Sequence, residues 1–287
     1  MTKQTMSILV LCSLLLSACG NSNVESLKSN DNKDQVQQSQ VQVEAGKAKE
    51  KEKEIPKEIP ISPIPELGQD SVIKFKYHMN SNYDIIPNDA ESPKKVVLLT
   101  FDDGPKDADM INRMIDTLDK HQAKAIFFVN GYKVKENPDL LKLIHNREQI
   151  IGNHSWDHII LKKIPEAEVK QQIEDVQEIV KNITGETPVF FRPPHGAGGD
   201  VGKKVAKDNG MLYMTWSNGS LDWEMKSSDS DHTATIIKNI TDQLHSGSNI
   251  LMHELPWTVD SLETLLTQLE TRGYSFVDPR SIELKMR

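Results

Sequence analysis

Thiols are scarce in this chain. Of its 287 residues only Cys12 and Cys19 are cysteine, and both lie near the N-terminus. The body beyond them can hold no internal disulfide and no thiolate metal site, so any metal there must be held by His, Asp or Glu. Aromatic residues make up 6% of the chain and hydrophobic ones 37%, which is lean for a globular protein. The leanness is local, because residues 21–70 contain almost no large apolar side chains. Setting that stretch aside leaves roughly 200 residues, enough for one well-buried α/β core. A Lys/Arg stripe interleaved with aromatics is also missing, and the net charge is −8, which together argue against a nucleic-acid partner. An acidic chain is repelled by polyanions and is better suited to a neutral or cationic polymer.

What is present at the N-terminus reads as an address. Lys3 precedes an apolar run over 6–16, which is too short to span a bilayer, and small residues follow at Ser17 and Ala18. This pattern predicts a signal peptide over 1–18. Leu16-Ser17-Ala18-Cys19 resembles the lipobox of bacterial lipoproteins, which implies a lipid on Cys19 and a location on the extracellular face of the bacterial cell membrane. Residues 19–69 are rich in Ser, Asn, Gln, Lys and Glu, and end with prolines at 56, 60, 63 and 65. Such a composition cannot bury enough apolar surface to offset chain ordering, so a disordered tether is expected. Its reach as a flexible coil is about 35–40 Å.

The pattern changes sharply at residue 93. Apolar runs of the buried-strand kind at 96–101, 125–129, 149–153, 189–192, 211–216, 249–253 and 275–277 alternate with helical spacing at 107–121, 138–146, 166–183, 201–209, 233–245 and 261–272. Seven strands alternating with helices predict an α/β fold with a parallel sheet, and strands buried on both faces fit a distorted (β/α) barrel. The catalytic domain is expected over 93–287, with 70–92 as an N-terminal extension packed on the barrel.

In parallel barrels the chemistry gathers at the C-terminal strand ends. There the sequence places Thr100-Phe101-Asp102-Asp103-Gly104-Pro105, with two adjacent acids, and His154-Ser155-Trp156-Asp157-His158. Histidines at i and i+4 on one helical turn present both imidazoles to one ion. One carboxylate and two imidazoles, with positions left for water, form a usable catalytic Zn²⁺ site, and Co²⁺ or Ni²⁺ can also fill it. Asp157 reads either as a group orienting a ligand histidine or as a helix-surface acid. Trp156 reads as packing or as substrate stacking, and Trp257 as a border of a sugar subsite.

Arg192-Pro193-Pro194-His195-Gly196, Ser220-Leu221-Asp222-Trp223 and Leu251-Met252-His253 follow in order. The five segments together resemble the motifs of the polysaccharide deacetylase family, also called the NodB-homology or carbohydrate esterase 4 family, over about residues 94–280. The resemblance implies a distorted seven-stranded (β/α) barrel and a metal held by Asp103, His154 and His158. It implies Asp102 as general base, His253 as general acid, Arg192 as the residue positioning the base, and Asp222 as the acid tuning His253. Trp223 and Leu251 are then apolar walls for the acetyl methyl, and Pro193, His195 and Gly196 complete the substrate-binding positions, with a backbone N–H near His195 facing the oxyanion.

Two positions depart from the family pattern. Gly219 stands where many relatives have an acid, which puts the tuning around Asp222 in question. His195 stands where many have an aromatic. The expected activity is removal of N-acetyl groups from N-acetylglucosamine-type residues of a cell-surface polysaccharide by a tethered monomer. Peptidoglycan leads among substrates and an exopolysaccharide follows. The alternatives are an O-acetyl esterase acting on a polymer such as acetylated xylan, and a surface carbohydrate-binding protein without turnover.

Overall fold

A computed structural model describes residues 75–287. The signal-peptide segment 1–18, the tether 19–69 with Cys19, and residues 70–74 lie outside the described residues. The chain runs through β1 (Tyr77–Met79), β2 (Ile85–Pro87), β3 (Val96–Gly104), α1 (Ala108–Lys120), β4 (Ala125–Val129), α2 (Gly131–Glu136), α3 (Pro138–Asn146) and β5 (Ile150–Asn153). It continues through α4 (Glu166–Thr184), β6 (Phe190–Phe191), α5 (Gly199–Asp208), β7 (Leu212–Tyr213), β8 (Asn218–Gly219), α6 (His232–Asp242), β9 (Ser248–His253), α7 (Pro256–Thr271), β10 (Ser275–Phe276) and β11 (Ile282–Met286).

Seven parallel strands follow one path, β7-β6-β5-β4-β3-β9-β8, with β10 added beside the start of β3. The path curls because its two edges, β7 and β8, lie four residues apart in one stretch of chain. The connecting residues bridge the gap: Ser217 N–H donates to the Asn249 carbonyl, and the Asn249 amide donates to the Thr215 carbonyl.

Strand alternation sorts β3 between two cores. Val97, Leu99 and Phe101 pack with apolar residues of α1, α6 and α7, whereas Val96 and Leu98 face the interior with Ile126, Phe128, Phe190 and Leu212. Thr100 and Asp102 continue the interior row upwards and carry the first polar groups at its top. Helix α1 begins at an Asp107 cap that accepts from the Met110 N–H, and α4 ends at Gly185 in the left-handed region (φ 85°).

Residues 77–87 form a hairpin that pairs with β11 in a three-stranded sheet, burying Met79 and Ile85 against the interior core. Two features differ from the sequence expectation. Helix α7 begins at Pro256, where proline suits a first helical position, and not at 261. Finally, 154–158 is not a helical turn: it is a loop with Ser155 and His158 both at positive φ. Among the described residues no helix is long and apolar enough to cross a membrane.

Candidate active site

The site begins with a bulge. Between Phe101 and Gly104 the register of β3 against β4 shifts, and Asp103 has φ 67°. In a regular strand neighbouring side chains point to opposite faces. The bulge turns Asp103 so that both carboxylates reach one site. His154 Nε2 lies 3.6 Å from Asp102 Oδ2 and 3.4 Å from Asp103 Oδ1, and His158 Nε2 is 3.1 Å from the same Asp103 oxygen.

His154 follows β5 directly, and its Nδ1 lies 2.6 Å from the Arg192 carbonyl. A carbonyl only accepts, so Nδ1 carries the proton and the Nε2 lone pair faces Asp103. Asp103 Oδ1 is buried without a hydrogen-bond partner. Two kinds of lone pair thus face each other with no proton between them, which is the electrostatics of a cation site. One ligand atom from each of Asp103, His154 and His158 lies within 4.8 Å of the others, and this is the one such trio among the described residues. Burial works to raise the Asp103 carboxyl; protonated imidazoles outweigh it and hold the carboxyl well below the usual carboxylate range, and when the imidazoles are neutral that positive charge must come from a cation.

The histidine loop is held from α2. Gly131 N–H and Tyr132 N–H donate to the carbonyls of Ser155 and Trp156, and the Asn130 amide donates to the His154 carbonyl. Trp156 lies so close on Gly131 that any Cβ there would run into its ring, so its ring packs on α2. Asp157 is tied to α4 through Gln172 and does not orient a ligand histidine.

Arg192, at the end of β6, is fully buried with its guanidinium over the Phe128 ring. Its Nη1 donates to Asp102 Oδ1 at 2.7 Å and to Thr100 Oγ1 at 2.8 Å, while Nε and Nη2 donate to the Thr215 carbonyl. A buried cation fixed at this many points holds Asp102 in one place and leaves Oδ2 towards the metal-ligand cluster.

His253, at the end of β9, sits across the site with its backbone in register with Asp102. Its Nδ1 lies 2.8 Å from Asp222 Oδ1, and its N–H donates to Asp222 Oδ2 at 2.7 Å. Burial works to lower the His253 pKa, but the Asp222 carboxylate outweighs it, aided by the charges of Asp102 and Asp103, and the pKa is raised. Gly219 leaves this pair intact: its own N–H and carbonyl are both taken by the Gln243 amide.

Trp223 is 40% exposed and meets the His253 ring edge-on at 5.3 Å, while Leu251 is buried below. His195 has φ 57° and its exposed ring lies 4.7 Å from that of His158. Gly196 faces the Trp216 ring, and Pro193 is buried against Gly198. Trp257 is half-buried, with its Nε1 donating to the Asp222 carbonyl and its ring stacked on His232.

Sequence reasoning missed Glu254, Lys133 and Thr258. Buried Glu254 accepts the N–H groups of Lys106 and Asp107 and so fixes the turn after Asp103. Lys133 Nζ donates to the Asp103 carbonyl at 2.6 Å. Neither lies in a repeating pattern, although Glu254 adjoins His253.

A buried acid–arginine pair, a converging Asp/His/His trio and a carboxylate-backed histidine at the C-terminal mouth of a (β/α) barrel form a hydrolase-like centre with a candidate cation site. The polysaccharide deacetylase family model matches residues 89–214, which include Asp103, His154, His158 and Arg192. A peptidoglycan-N-acetylglucosamine deacetylase of Bacillus cereus is 35% identical over 211 residues, covering 72% of this chain and 71% of that protein. A crystal structure of a peptidoglycan N-acetylglucosamine deacetylase bound to 4-naphthalen-1-yl-N-oxidanyl-benzamide superposes with a TM-score of 0.60 at 35% identity, over 66% of this chain and 87% of that one. A carbohydrate esterase 4 pseudoenzyme from Bacillus anthracis gives the same TM-score, 0.60, at 30% identity, over 64% of this chain and 63% of that one. The chain belongs to the polysaccharide deacetylase family. It spans about half the length, 47%, of further curated relatives that it matches at 34% identity.

Proposed function

We propose that the protein is a metal-dependent deacetylase that removes N-acetyl groups from N-acetylglucosamine-type residues of a cell-surface polysaccharide, with peptidoglycan the first candidate and an exopolysaccharide the second. The observation that carries this reading is the pairing of a metal-ligand trio with two opposed proton-transfer groups, Asp102 and His253, each backed by a charge of the opposite sign. The names of the relatives support the choice of polymer.

Asp103, His154 and His158 hold the ion, and their Asp/His₂ donor set suits Zn²⁺, with Co²⁺ or Ni²⁺ as substitutes. When bound, the ion supplies Lewis-acid polarisation of an acetyl carbonyl and of a water. Asp102, held at Oδ1 by Arg192, takes a proton at Oδ2 as water attacks the carbonyl carbon. The amide's leaving nitrogen must be protonated as the C–N bond breaks, and His253 gives that proton from Nε2 while Nδ1 stays bonded to Asp222. Trp223 and Leu251 flank His253 and form the apolar wall for the acetyl methyl. The tight turn at Pro193, His195 and Gly196 lines the other side. Lipid anchoring through Cys19, a tether over 19–69, a catalytic domain over 93–287 and a monomeric state complete the proposal, placing the enzyme on the outer face of the cell membrane.

The complete set of proton-transfer groups favours turnover over a binding role. The discriminating experiment follows free amine from N-acetylglucosamine oligomers and peptidoglycan beside acetate from acetylated xylan. Amine release is expected. Acetate from xylan alone would reassign the protein as an esterase, and silence on all three with tight binding would make it a carbohydrate-binding protein.

A further inference from the structure

We propose that Thr258 is a positioning residue for the proton donor, its hydroxyl locking the Asp222 carboxylate in the orientation that presents His253 to the leaving nitrogen. This rests on the role of His253 argued above.

Thr258 lies in the first turn of α7 and is 1% exposed. Its Oγ1 donates to Asp222 Oδ2 at 2.7 Å. That oxygen also receives the His253 N–H at 2.7 Å, while Oδ1 faces His253 Nδ1 at 2.8 Å. Asp222 is itself fully buried, so no solvent competes for these positions. Two of the three donors come from His253, one from its backbone and one from its ring. Thr258 is the donor that ties the carboxylate to a different element. Without it a single N–H holds Oδ2, and the carboxylate is free to turn about its own axis and offer Nδ1 a poorer partner. The preceding residue works alongside, since the Trp257 indole N–H holds the Asp222 carbonyl at 2.9 Å. The first turn of α7 thus grips both the main chain and the side chain of Asp222.

The hydroxyl has only one role open to it here. An ionised carboxylate accepts and cannot donate, so the Thr258 O–H must point at Oδ2. Charge-assisted hydrogen bonds of this kind are short and about twice as strong as neutral ones. Valine has nearly the same shape without a donor, so Thr258→Val removes the hydrogen bond and little volume. Serine restores the donor with one methyl fewer. The charged groups facing His253 are Asp222 from the turn after β8 and Asp102 and Asp103 from β3, and Thr258→Val alters only the first.

The test compares wild type, Thr258→Val and Thr258→Ser in the metal-loaded protein. Two readouts are used: pH profiles of amine release from N-acetylglucosamine oligomers, and the titration of the His253 imidazole followed by NMR. In Thr258→Val the His253 midpoint is expected to fall by about one pH unit, and kcat near neutral pH by about tenfold with little change in KM. The basic limb of the profile moves to lower pH, because the acid form of His253 is lost earlier. Thr258→Ser should recover most of both. An unmoved His253 midpoint in Thr258→Val, or equal impairment of the Ser and Val variants, would overturn the proposal. A wild type that releases no amine while Thr258→Val still shifts His253 would remove the deacetylase reading and leave the positioning role standing.

Discussion

At the end of β3 two neighbouring carboxylates have different tasks because the backbone turns between them. Asp102 stays in the interior row with Arg192, while Asp103, at φ 67°, swings to the two imidazoles. Removing either should therefore fail differently. Asp103→Ala should lose bound metal on dialysis and turnover with it. Asp102→Asn should retain the metal and lose at least about 100-fold in kcat, the scale of a missing general base. Equal metal loss in both variants would merge the two roles.

Glu254 offers a pH-dependent case. Burial pushes its carboxyl up to about 6, against the pull of the Asp107 and Lys106 N–H groups and the Lys106 and Lys133 ammoniums. A carboxyl raised in the folded state contributes stability while protonated, fully below its ordinary value, and loses it as pH rises through the folded value. Glu254→Gln should therefore gain on wild type by about 2 kcal/mol between pH 4 and pH 7 in urea denaturation. A constant difference across that range would contradict it. The acids and histidines were legible in the sequence because they cluster where apolar runs stop. Glu254 and Thr258 were not, because a single polar residue at the start of a helix carries no period. Their importance comes from partners more than thirty residues away in sequence, in the turns after β3 and β8.

Among the elements, the long helices and the fully buried strands were legible. Their apolar spacing is sustained over enough residues to separate a 3.6 period from a continuous run, as in α4 and β4. Strand β8 and helix α2 were not, since two and six residues are too few to show a period. The histidine pair shows how spacing can succeed for the wrong reason. An i, i+4 pair suits one helical turn, yet the chain brings both Nε2 atoms together through a loop with two left-handed residues. That loop rests on α2 through Trp156, whose ring fills the space any side chain at Gly131 would need. Gly131→Ala should cost about 1–3 kcal/mol as an overpacked contact and weaken metal binding by displacing the loop. Thermal unfolding and calorimetric metal titration measure both, and unchanged metal affinity would show that α2 does not support the site.

Across the molecule, the barrel keeps stability and chemistry at opposite ends, as parallel barrels do. The hairpin β1–β2 and the C-terminal β11 form their sheet away from the catalytic mouth, pinned by Asp84 to His245 Nε2 at 2.7 Å and by the Ile85 N–H to the Gly247 carbonyl. The apolar groove lined by Phe75, Ile150, Val189, Ile282 and Leu284 lies at that same end, near the starts of β5 and β6. The class of fold was legible from the alternation of strands and helices. How the sheet closes was not, because closure depends on an irregular stretch, residues 214–217, that carries the chain from one edge strand to the other. At the mouth, the Asp/His/His trio and the opposed proton-transfer pair make a metal-dependent deacetylase the central claim. The most direct measurement of it is free amine released from N-acetylglucosamine oligomers before and after chelation. Release that stops with chelator, returns with added Zn²⁺ and is absent from Asp103→Ala is the expected result. Release that persists undiminished in chelator-treated, metal-free protein would contradict it.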